Sequence, residues 1–376
     1  MRISGFRRAC CLIAVALLLP VVNMAQQAQP SGLVQGRAIL SDSGKRAEGA
    51  LVSLFAVAPP QTFPQYGEYV VHDSIQPADL HATVAGNGTF TIDNVPPGEY
   101  SVMIYKPGYI KQDPRQTPGT YSPDSIRRVT VTAGGVAGVS LVLQRGGSIE
   151  GQVRFDDGRA LPAGRTPMDG IAVNVEMETA PGTFARFGGA AHLDAEGRYD
   201  IDGLPPARYI VFLGLPPTMI ETTRGLVSAG GRLLFAPGTN RASRARVIAL
   251  SGEETQSGVD FNIPTRGLHA IRGRVIDSTG APVTQGLVRL YPTGEPTLPL
   301  AAGVDRNGEF VFADLPDDSY TVSFESEGKT EFRGVTADGK GIRVFRGKPP
   351  YEPAKTDVQV SGQDPPAVIL RVQPTS

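Results

Sequence analysis

Three copies of one short pattern decide the fold of this chain, and the first is Gly88-Thr-Phe90-Thr-Ile92-Asp-Asn-Val95-Pro-Pro97-Gly-Glu-Tyr100. The others are Gly197-Arg-Tyr199-Asp-Ile201-Asp-Gly-Leu204-Pro-Pro206-Ala-Arg-Tyr209 and Gly308-Glu-Phe310-Val-Phe312-Ala-Asp-Leu315-Pro316-Asp-Asp-Ser-Tyr320. The closing tyrosines recur at intervals of 109 and 111 residues. A repeat of this length predicts one domain type built three times along the chain.

Each copy predicts a tight turn, a strand, a proline turn and a second strand. The opening glycine follows two turn-forming residues and supplies a positive φ at no steric cost. In the first copy, Phe90 and Ile92 share one face of a strand. After the prolines the alternation resumes with Tyr100, Val102 and Ile104. This alternation is typical of strands that bury one face.

The segments around each copy also correspond. An opening strand with an inner glycine precedes each copy: Val34-Gln-Gly36-Arg-Ala38, Ile149-Glu-Gly151-Gln-Val153 and Ile271-Arg-Gly273-Arg-Val275. An alternating strand closes each unit: Val139-Ser-Leu141-Val-Leu143, Val259-Asp-Phe261-Asn-Ile263 and Val368-Ile-Leu370-Arg-Val372. We therefore predict an all-β chain of three tandem seven-stranded sandwiches at 31–145, 146–266 and 267–376. The short junctions between them favour a semi-rigid rod.

Composition agrees with many turns around ordinary cores. The 376 residues include 45 Gly and 32 Pro, while 40% of residues are apolar, which excludes a disordered tail or a collagen. The formal net charge is −1 and no basic stripe stands out, so nucleic acid is not an expected partner.

The first 25 residues have the order of a secretory signal peptide. Arg2, Arg7 and Arg8 precede an apolar run from Leu12 to Val22, followed by small residues. The run is shorter than the roughly 20 residues of a membrane-spanning helix, so we expect an exported protein without stable membrane insertion. The adjacent arginines leave a twin-arginine export route open. Both cysteines precede the apolar run, which argues against a lipid anchor and against disulfides in the exported chain.

The repeated Gly-x-Phe/Tyr and Leu/Val-Pro-x-Gly-x-Tyr motifs resemble the carboxypeptidase regulatory-like domain. They are also similar to the Cna-B-type and transthyretin-like sandwiches. The resemblance covers nearly all of residues 31–376 and is looser past Gly328. It implies prealbumin-like, Ig-like Greek-key sandwiches that accompany other modules as scaffolds, spacers or binding units.

The chemistry of known relatives of such domains is not supported by this sequence. None of the four histidines has the His-x-x-Glu or His-Glu-x-x-His spacing of a zinc peptidase. Cna-B-like domains can carry a Lys–Asn cross-link, but residues 146–328 contain no lysine. The acidic turns lack the dense ligand spacing of a calcium loop. We therefore expect no catalytic residues, no metal site and no cofactor.

Two loops of the first domain carry more aromatic residues than the fold requires. An insertion from Pro59 to Leu80 contains Phe63, Tyr66 and Tyr69, and a second loop contains Tyr109 and Tyr121. Aromatic residues on loops are typical of binding surfaces. These five residues could form a platform for sugar rings, or Phe63 and Tyr69 could cover the end of the sandwich core.

A group of three arginines in the second domain is a further candidate. Arg241, Arg244 and Arg246 could meet an anionic polymer, although such a group also blunts an exposed strand edge by charge.

These observations favour an exported, monomeric, non-enzymatic scaffold or interaction protein in the periplasm, at the cell surface or secreted. Its partner would be a protein or a polysaccharide. The alternative is a carbohydrate-binding module with a starch-binding-like fold, acting through the aromatic loops.

Overall fold

The computed structural model describes residues 30–57, 64–72, 80–111, 127–161, 171–216, 218–222, 225–229, 231–336 and 341–375. Within these ranges the chain is built from β-strands, with a single 3₁₀ turn at Ala242–Arg244. The predicted all-β sandwich class is confirmed. The predicted leader at residues 1–25 lies outside the described residues, and the predicted domain bounds stay a prediction.

The first unit has a three-stranded and a four-stranded sheet, in the orders β5-β1-β8 and β4-β2-β6-β7. Strand β1 is antiparallel to β5 and parallel to β8, so the closing strand lies beside the opening one. One strand of this segment, β3, belongs to neither sheet. The strands are β1 Gly32–Leu40, β2 Leu51–Ala56, β3 Gly67–His72, β4 His81–Thr83, β5 Thr89–Val95, β6 Gly98–Tyr105, β7 Arg127–Val131 and β8 Val136–Leu143.

The second unit is larger than the predicted seven strands. Its opening strand β9 pairs with β12, β18 and β19, and the second sheet has the order β11-β10-β13-β16 with β17 also on β13. A separate hairpin joins β14 and β15. The strands are β9 Gly147–Phe155, β10 Ala172–Ala180, β11 Thr183–His192, β12 Arg198–Leu204, β13 Ala207–Leu215, β14 Thr218–Thr222, β15 Gly225–Ala229, β16 Arg232–Phe235, β17 Ile248–Leu250, β18 Thr255–Gln256 and β19 Phe261–Ile263.

The third unit repeats the arrangement of the first. Its sheets have the orders β23-β20-β28 and β22-β21-β24-β27, and β28 is parallel to the opening strand β20. The strands are β20 His269–Ile276, β21 Leu287–Pro292, β22 Leu300–Gly303, β23 Glu309–Leu315, β24 Asp318–Glu325, β25 Thr330–Val335, β26 Gly341–Arg346, β27 Ala354–Val360 and β28 Val368–Arg371. Strands β25 and β26 form a hairpin outside both sheets.

Each unit encloses its own apolar core. Three separate clusters of buried side chains extend from Val34 to Leu143, from Ile149 to Ile263 and from Ile271 to Val372. A smaller cluster around Phe212 and Phe235 of the second unit also contacts Leu298 of the third. The second and third units therefore share an apolar contact besides their own cores.

The inner glycine of each opening strand faces the aromatic residue of the repeated pattern. In the strand register, Gly36 pairs with Phe90, Gly151 with Tyr199 and Gly273 with Phe310. A Cβ at Gly273 would lie 2.2 Å from Cζ of Phe310 and 2.6 Å from the carbonyl oxygen of Val368 on β28. Because glycine carries only hydrogen in place of a Cβ, the Phe310 ring can cross the opening strand β20 while the closing strand β28 approaches the same position.

The closing tyrosine of each copy fixes the proline turn before it. The hydroxyls of Tyr100, Tyr209 and Tyr320 donate to the carbonyl oxygens of the prolines four residues earlier, at 2.9, 2.5 and 2.9 Å. The rings are buried in the three cores. A buried hydroxyl without a partner would be destabilising, so this bond explains the fixed spacing from proline to tyrosine.

We expect Gly273→Ala to destabilise the third unit by about 1–3 kcal/mol, because the added methyl overpacks a closed site. The matched control is Gly303→Ala on β22, where an added Cβ meets no atom within 4 Å. Urea unfolding should show a lower midpoint for the first variant alone. Equal midpoints for both variants would show that the ring does not require this glycine.

Candidate interaction surface

The predicted aromatic residues do not form one platform. Phe63 and Tyr121 lie outside the described residues. Tyr66 is exposed just before β3, and Tyr69 is half-buried on β3. Tyr109 is only 8% exposed. Of the five, Tyr66 and Tyr69 are described on the same segment, three residues apart, with Tyr66 preceding β3 and Tyr69 within it.

Tyr109 is part of the junction between the first and second units. Its ring belongs to the first core, and its hydroxyl donates to Oδ2 of Asp42 at 3.1 Å. Its carbonyl oxygen approaches Gly203 so closely that a Cβ there would lie 2.4 Å away. Beside it, the amide of Gly108 donates to Oδ2 of Asp202 at 2.6 Å. This tyrosine therefore packs at a domain junction, and its ring is not available for stacking on a sugar.

Strand β3 joins the first unit to the third. It pairs antiparallel with β26, which in turn pairs with β25, giving a three-stranded sheet of order β25-β26-β3. Tyr69 lies opposite Val344, and Val71 lies opposite Ile342. We call this the shared sheet. It differs from the expectation that Tyr69 covers the end of the first core.

The shared sheet has one apolar face. Residues paired across neighbouring strands project to the same side of a sheet, so the register places six apolar side chains together. We call this set the apolar face; it consists of Phe332, Val335, Ile342, Val344, Tyr69 and Val71.

Much of this face is open to solvent. Phe332 is 65% exposed and Val335 is 57% exposed, and Ile342 is also exposed. Val344, Tyr69 and Val71 are half-buried. Single exposed apolar residues are ordinary on a protein surface, but a contiguous apolar group is typical of a binding site.

The opposite face of the shared sheet is charged. Glu331 accepts from Nζ of Lys329 at 2.7 Å and from Nη2 of Arg333 at 2.8 Å. Hydrogen bonding from Lys329 and the charges of both cations lower the pKa of Glu331. The guanidinium of Arg333 lies over the Phe345 ring, 4.6 Å from its centroid, and so covers that ring. The two faces therefore differ sharply in polarity.

One arginine holds the two strands of different units together. The guanidinium of Arg346 lies 5.5 Å from the centroid of the Tyr69 ring, and its Nη2 donates to the tyrosine hydroxyl at 3.5 Å. This contact fixes Tyr69 on the apolar face. It also gives the face a cationic border beside the aromatic ring.

Sequence reasoning missed the residues that the third unit contributes. Their signal is the alternation in Ile342-Arg-Val344-Phe-Arg346, where apolar side chains alternate with arginine. That alternation predicts a strand with one apolar face. Nothing in it indicates that the neighbouring strand comes from the first unit.

The arginine group of the second unit lies at an interface. Arg241 is only 14% exposed and forms a fork with Asp318, its Nη2 lying 2.7 Å from Oδ1 and its Nε 2.9 Å from Oδ2. Its Nη1 lies 3.3 Å from Oε1 of Glu295. The prediction of an exposed strand edge is therefore wrong for Arg241, because two carboxylates of the third unit cover it. Arg244 and Arg246 remain largely exposed.

These contacts set the ionisation of the two carboxylates. Burial alone would raise the pKa of Asp318, but hydrogen bonds from Arg241, Asn240 and the Ser319 amide outweigh burial and lower it. For Glu295, burial is likewise outweighed by hydrogen bonds from Ser243 and Arg241, so its pKa is lowered. Both acids are therefore held in the charged form that pairs with Arg241.

No three side chains of His, Cys, Asp or Glu among the described residues come together in a way that could hold a metal ion. The same part of the chain contains no helix long and apolar enough to cross a membrane.

Two family models match different segments of the chain. The model of the carboxypeptidase regulatory-like domain matches residues 270–371, which confirms the predicted family for the third unit. The model described as polysaccharide lyase family 4, domain II matches residues 47–138 of the first unit. No curated protein matches the chain.

Solved structures that resemble the chain include three bacterial proteins. The Bacillus anthracis TIE protein is 14% identical with a TM-score of 0.21, over 92% of this chain and 51% of that one, so this chain spans about half its length. The major pilin subunit BcpA of Bacillus cereus is 13% identical, with 92% and 99% covered and a TM-score of 0.20. The minor pilin GBS52 of Streptococcus agalactiae is 13% identical, with 62% and 98% covered and a TM-score of 0.27. These scores are too low to support an argument about function.

The ion pairs of Arg241 predict a loss of stability in acid. The pKa values of Asp318 and Glu295 are lowered in the folded protein. The stability that their ionised carboxylates contribute is therefore complete above the pKa values of about 4 that these groups have in the unfolded chain. This stability is lost as the pH falls through the lower pKa values of the folded protein. Asp318→Asn should therefore lower stability near pH 6 by roughly 1–3 kcal/mol, since Arg241 loses a buried acceptor, and should flatten the decline below pH 4.

The measurement is thermal unfolding between pH 3 and 7. The control is Glu99→Gln, which removes an exposed ion pair with Arg128 and should change stability by less than about 0.5 kcal/mol. A pH profile of Asp318→Asn that parallels the wild type would contradict the assignment.

Proposed function

We propose that this protein is an exported interaction protein that binds a second protein through the apolar face of the shared sheet. The observation that carries the proposal is the exposure of Phe332, Val335 and Ile342 on a sheet built by two units. Export is supported by the basic, apolar and small-residue order of residues 1–25.

The composition of the face favours a protein over a sugar. Four of its six members are Val or Ile, whose side chains pack against other apolar side chains. A sugar site needs aromatic rings flanked by several hydrogen-bonding groups. On the same side of the sheet, the register adds only Thr330 and Arg346 as polar side chains. A protein surface with an apolar centre and an acidic border would complement this arrangement.

The sandwich domains act as the frame that holds the face in place. Backbone pairing of β3 with β26 ties the first unit to the third, and the fork between Arg241 and Asp318 ties the second to the third. A binding face built on paired strands loses less conformational entropy on binding than one on free loops. This is the scaffold role that the family of the third unit implies.

We expect the double variant Phe332→Asp/Ile342→Asp to lose partner binding by at least tenfold. Charges at these positions would be buried without a partner in the complex. The matched control is Ile369→Asp, which alters an apolar residue on β28 that is 59% exposed. Both variants should keep the wild-type melting temperature, because the altered side chains are exposed.

The binding experiment compares the three proteins, each immobilised, against exported proteins of the source cell. The proposal predicts a protein retained by wild type and Ile369→Asp and lost with the double variant. The same set of proteins on all three surfaces would contradict it. Sedimentation of the free protein tests whether the partner is a second copy of the chain, which would overturn the expected monomer.

Carbohydrate binding is the second candidate function. It is supported by the match of residues 47–138 to a domain named for a polysaccharide lyase family. The exposed ring of Tyr66 and the half-buried ring of Tyr69 are the aromatic groups that it would use.

Calorimetry with a panel of soluble polysaccharides separates the two candidates. Our proposal predicts no sugar-dependent heat for the wild type. Saturable heat that falls at least fivefold in both Tyr66→Ala and Tyr69→Ala, but not in the exposed control Tyr105→Ala, would favour the carbohydrate candidate instead.

A further inference from the structure

Arg232 is a buried cation with incomplete hydrogen bonding. It opens strand β16 and is only 6% exposed. Its Nη2 donates to the carbonyl oxygen of Pro264 at 3.3 Å, in the link between the second and third units. Its Nε and Nη1 are buried and have no hydrogen-bond partner among the described residues. Two donors of one guanidinium are thus left open.

An arginine in this state is unfavourable without a ligand. Its side chain stays protonated in proteins, although burial lowers its pKa, and the largest opposing effect is the charge of Asp314. A buried donor that lacks a hydrogen-bond partner is destabilising. An acceptor that reaches this guanidinium would therefore bind with a substantial electrostatic gain.

Two cavities meet at Arg232. The smaller has a volume of about 30 Å³ and is lined by residues of the second and third units. The larger has a volume of about 260 Å³ and lies between the second and third units. That space accommodates a small organic molecule.

The walls of the larger cavity define the class of ligand. Arg159 is the second cation, with its guanidinium stacked 4.0 Å from the centroid of the Phe155 ring. Asp314 is the single acidic group among the described lining residues. Much of the remaining lining is apolar and includes Ile171, Leu215, Ile263 and Leu268. Two cations, one carboxylate and apolar walls suit an anion that carries an apolar body.

We propose that this cavity is a binding site for a small carboxylate with a branched apolar body, held by Arg232. The carboxylate accepts from the open donors of Arg232, since guanidinium and carboxylate form strong charge-assisted hydrogen bonds. The apolar body packs against the aliphatic walls. The carboxylate can belong to a free acid or to the C-terminal residue of a peptide.

The test uses four probes on the purified chain, followed by thermal unfolding and calorimetry. The probes are isovalerate, N-acetyl-leucine, N-acetyl-leucinamide and inorganic phosphate. Both acids should raise the melting temperature, because a ligand that binds only the folded state stabilises it. The amide, which has the same body without the charge, should not. Binding of acetyl-leucine without isovalerate would support the site and identify a chain terminus as the source.

Variants then assign the effect to Arg232. Arg232→Met should weaken acid binding at least tenfold while keeping the unliganded melting temperature, since it removes a buried cation whose hydrogen bonding is incomplete. Arg232→Lys should bind more weakly than wild type but better than Arg232→Met. The control is Arg208→Met, which removes an exposed arginine paired with Glu178 and should bind normally.

The proposal would be overturned if neither acid changed the melting temperature, or if Arg232→Met bound both acids as well as the wild type does. It would also be overturned if phosphate alone stabilised the chain, or if the amide bound as tightly as the acid. A crystal grown with isovalerate that shows only water on Nε and Nη1 would also overturn it.

Discussion

In each unit an aromatic ring crosses the opening strand at a glycine, and the closing strand packs against the same position. Gly273 shows the constraint most clearly, with the Phe310 ring and the Val368 carbonyl both inside the space of a Cβ. The contact joins three strands that are distant in sequence: opening, middle and closing. Because it sets the register of the smaller sheet, it also sets which side chains enter the core.

The sandwiches in turn position the contacts between units. Strand β24 begins at Asp318, directly after the proline turn that Tyr320 fixes, and Asp318 is the carboxylate that Arg241 binds. The turn is therefore part of both the fold and the interface. The shared sheet adds a direct link from the first unit to the third. A simple end-to-end rod, as the short junctions suggested, has no such link.

The repeated pattern was sufficient to predict the repeated strands, the glycine of each opening strand and the seven-stranded sandwiches of the first and third units. It could not predict the shared sheet, because β3 and β26 lie about 270 residues apart and strand pairing leaves no local signal. The same limit explains Arg241, whose partner Asp318 lies 77 residues away in another unit. The predicted aromatic insertion is described only in part, and its described strand β3 pairs with the third unit. The aromatic count did not predict the position of Tyr109, because that position depends on contacts made at a junction between units.

The pairing of β3 with β26 is the feature on which the proposed binding face depends, and disulfide trapping tests it directly. Both native cysteines, Cys10 and Cys11, lie in the predicted leader, so a disulfide in the chain without that leader can be assigned to the introduced cysteines. Tyr69→Cys/Val344→Cys places two thiols at opposed positions of the antiparallel pair, within the usual distance of a disulfide. The account predicts rapid cross-linking of this variant on oxidation, and little in Tyr69→Cys/Phe345→Cys, whose side chains lie on opposite faces. Equal cross-linking of the two variants, or none in either, would contradict it.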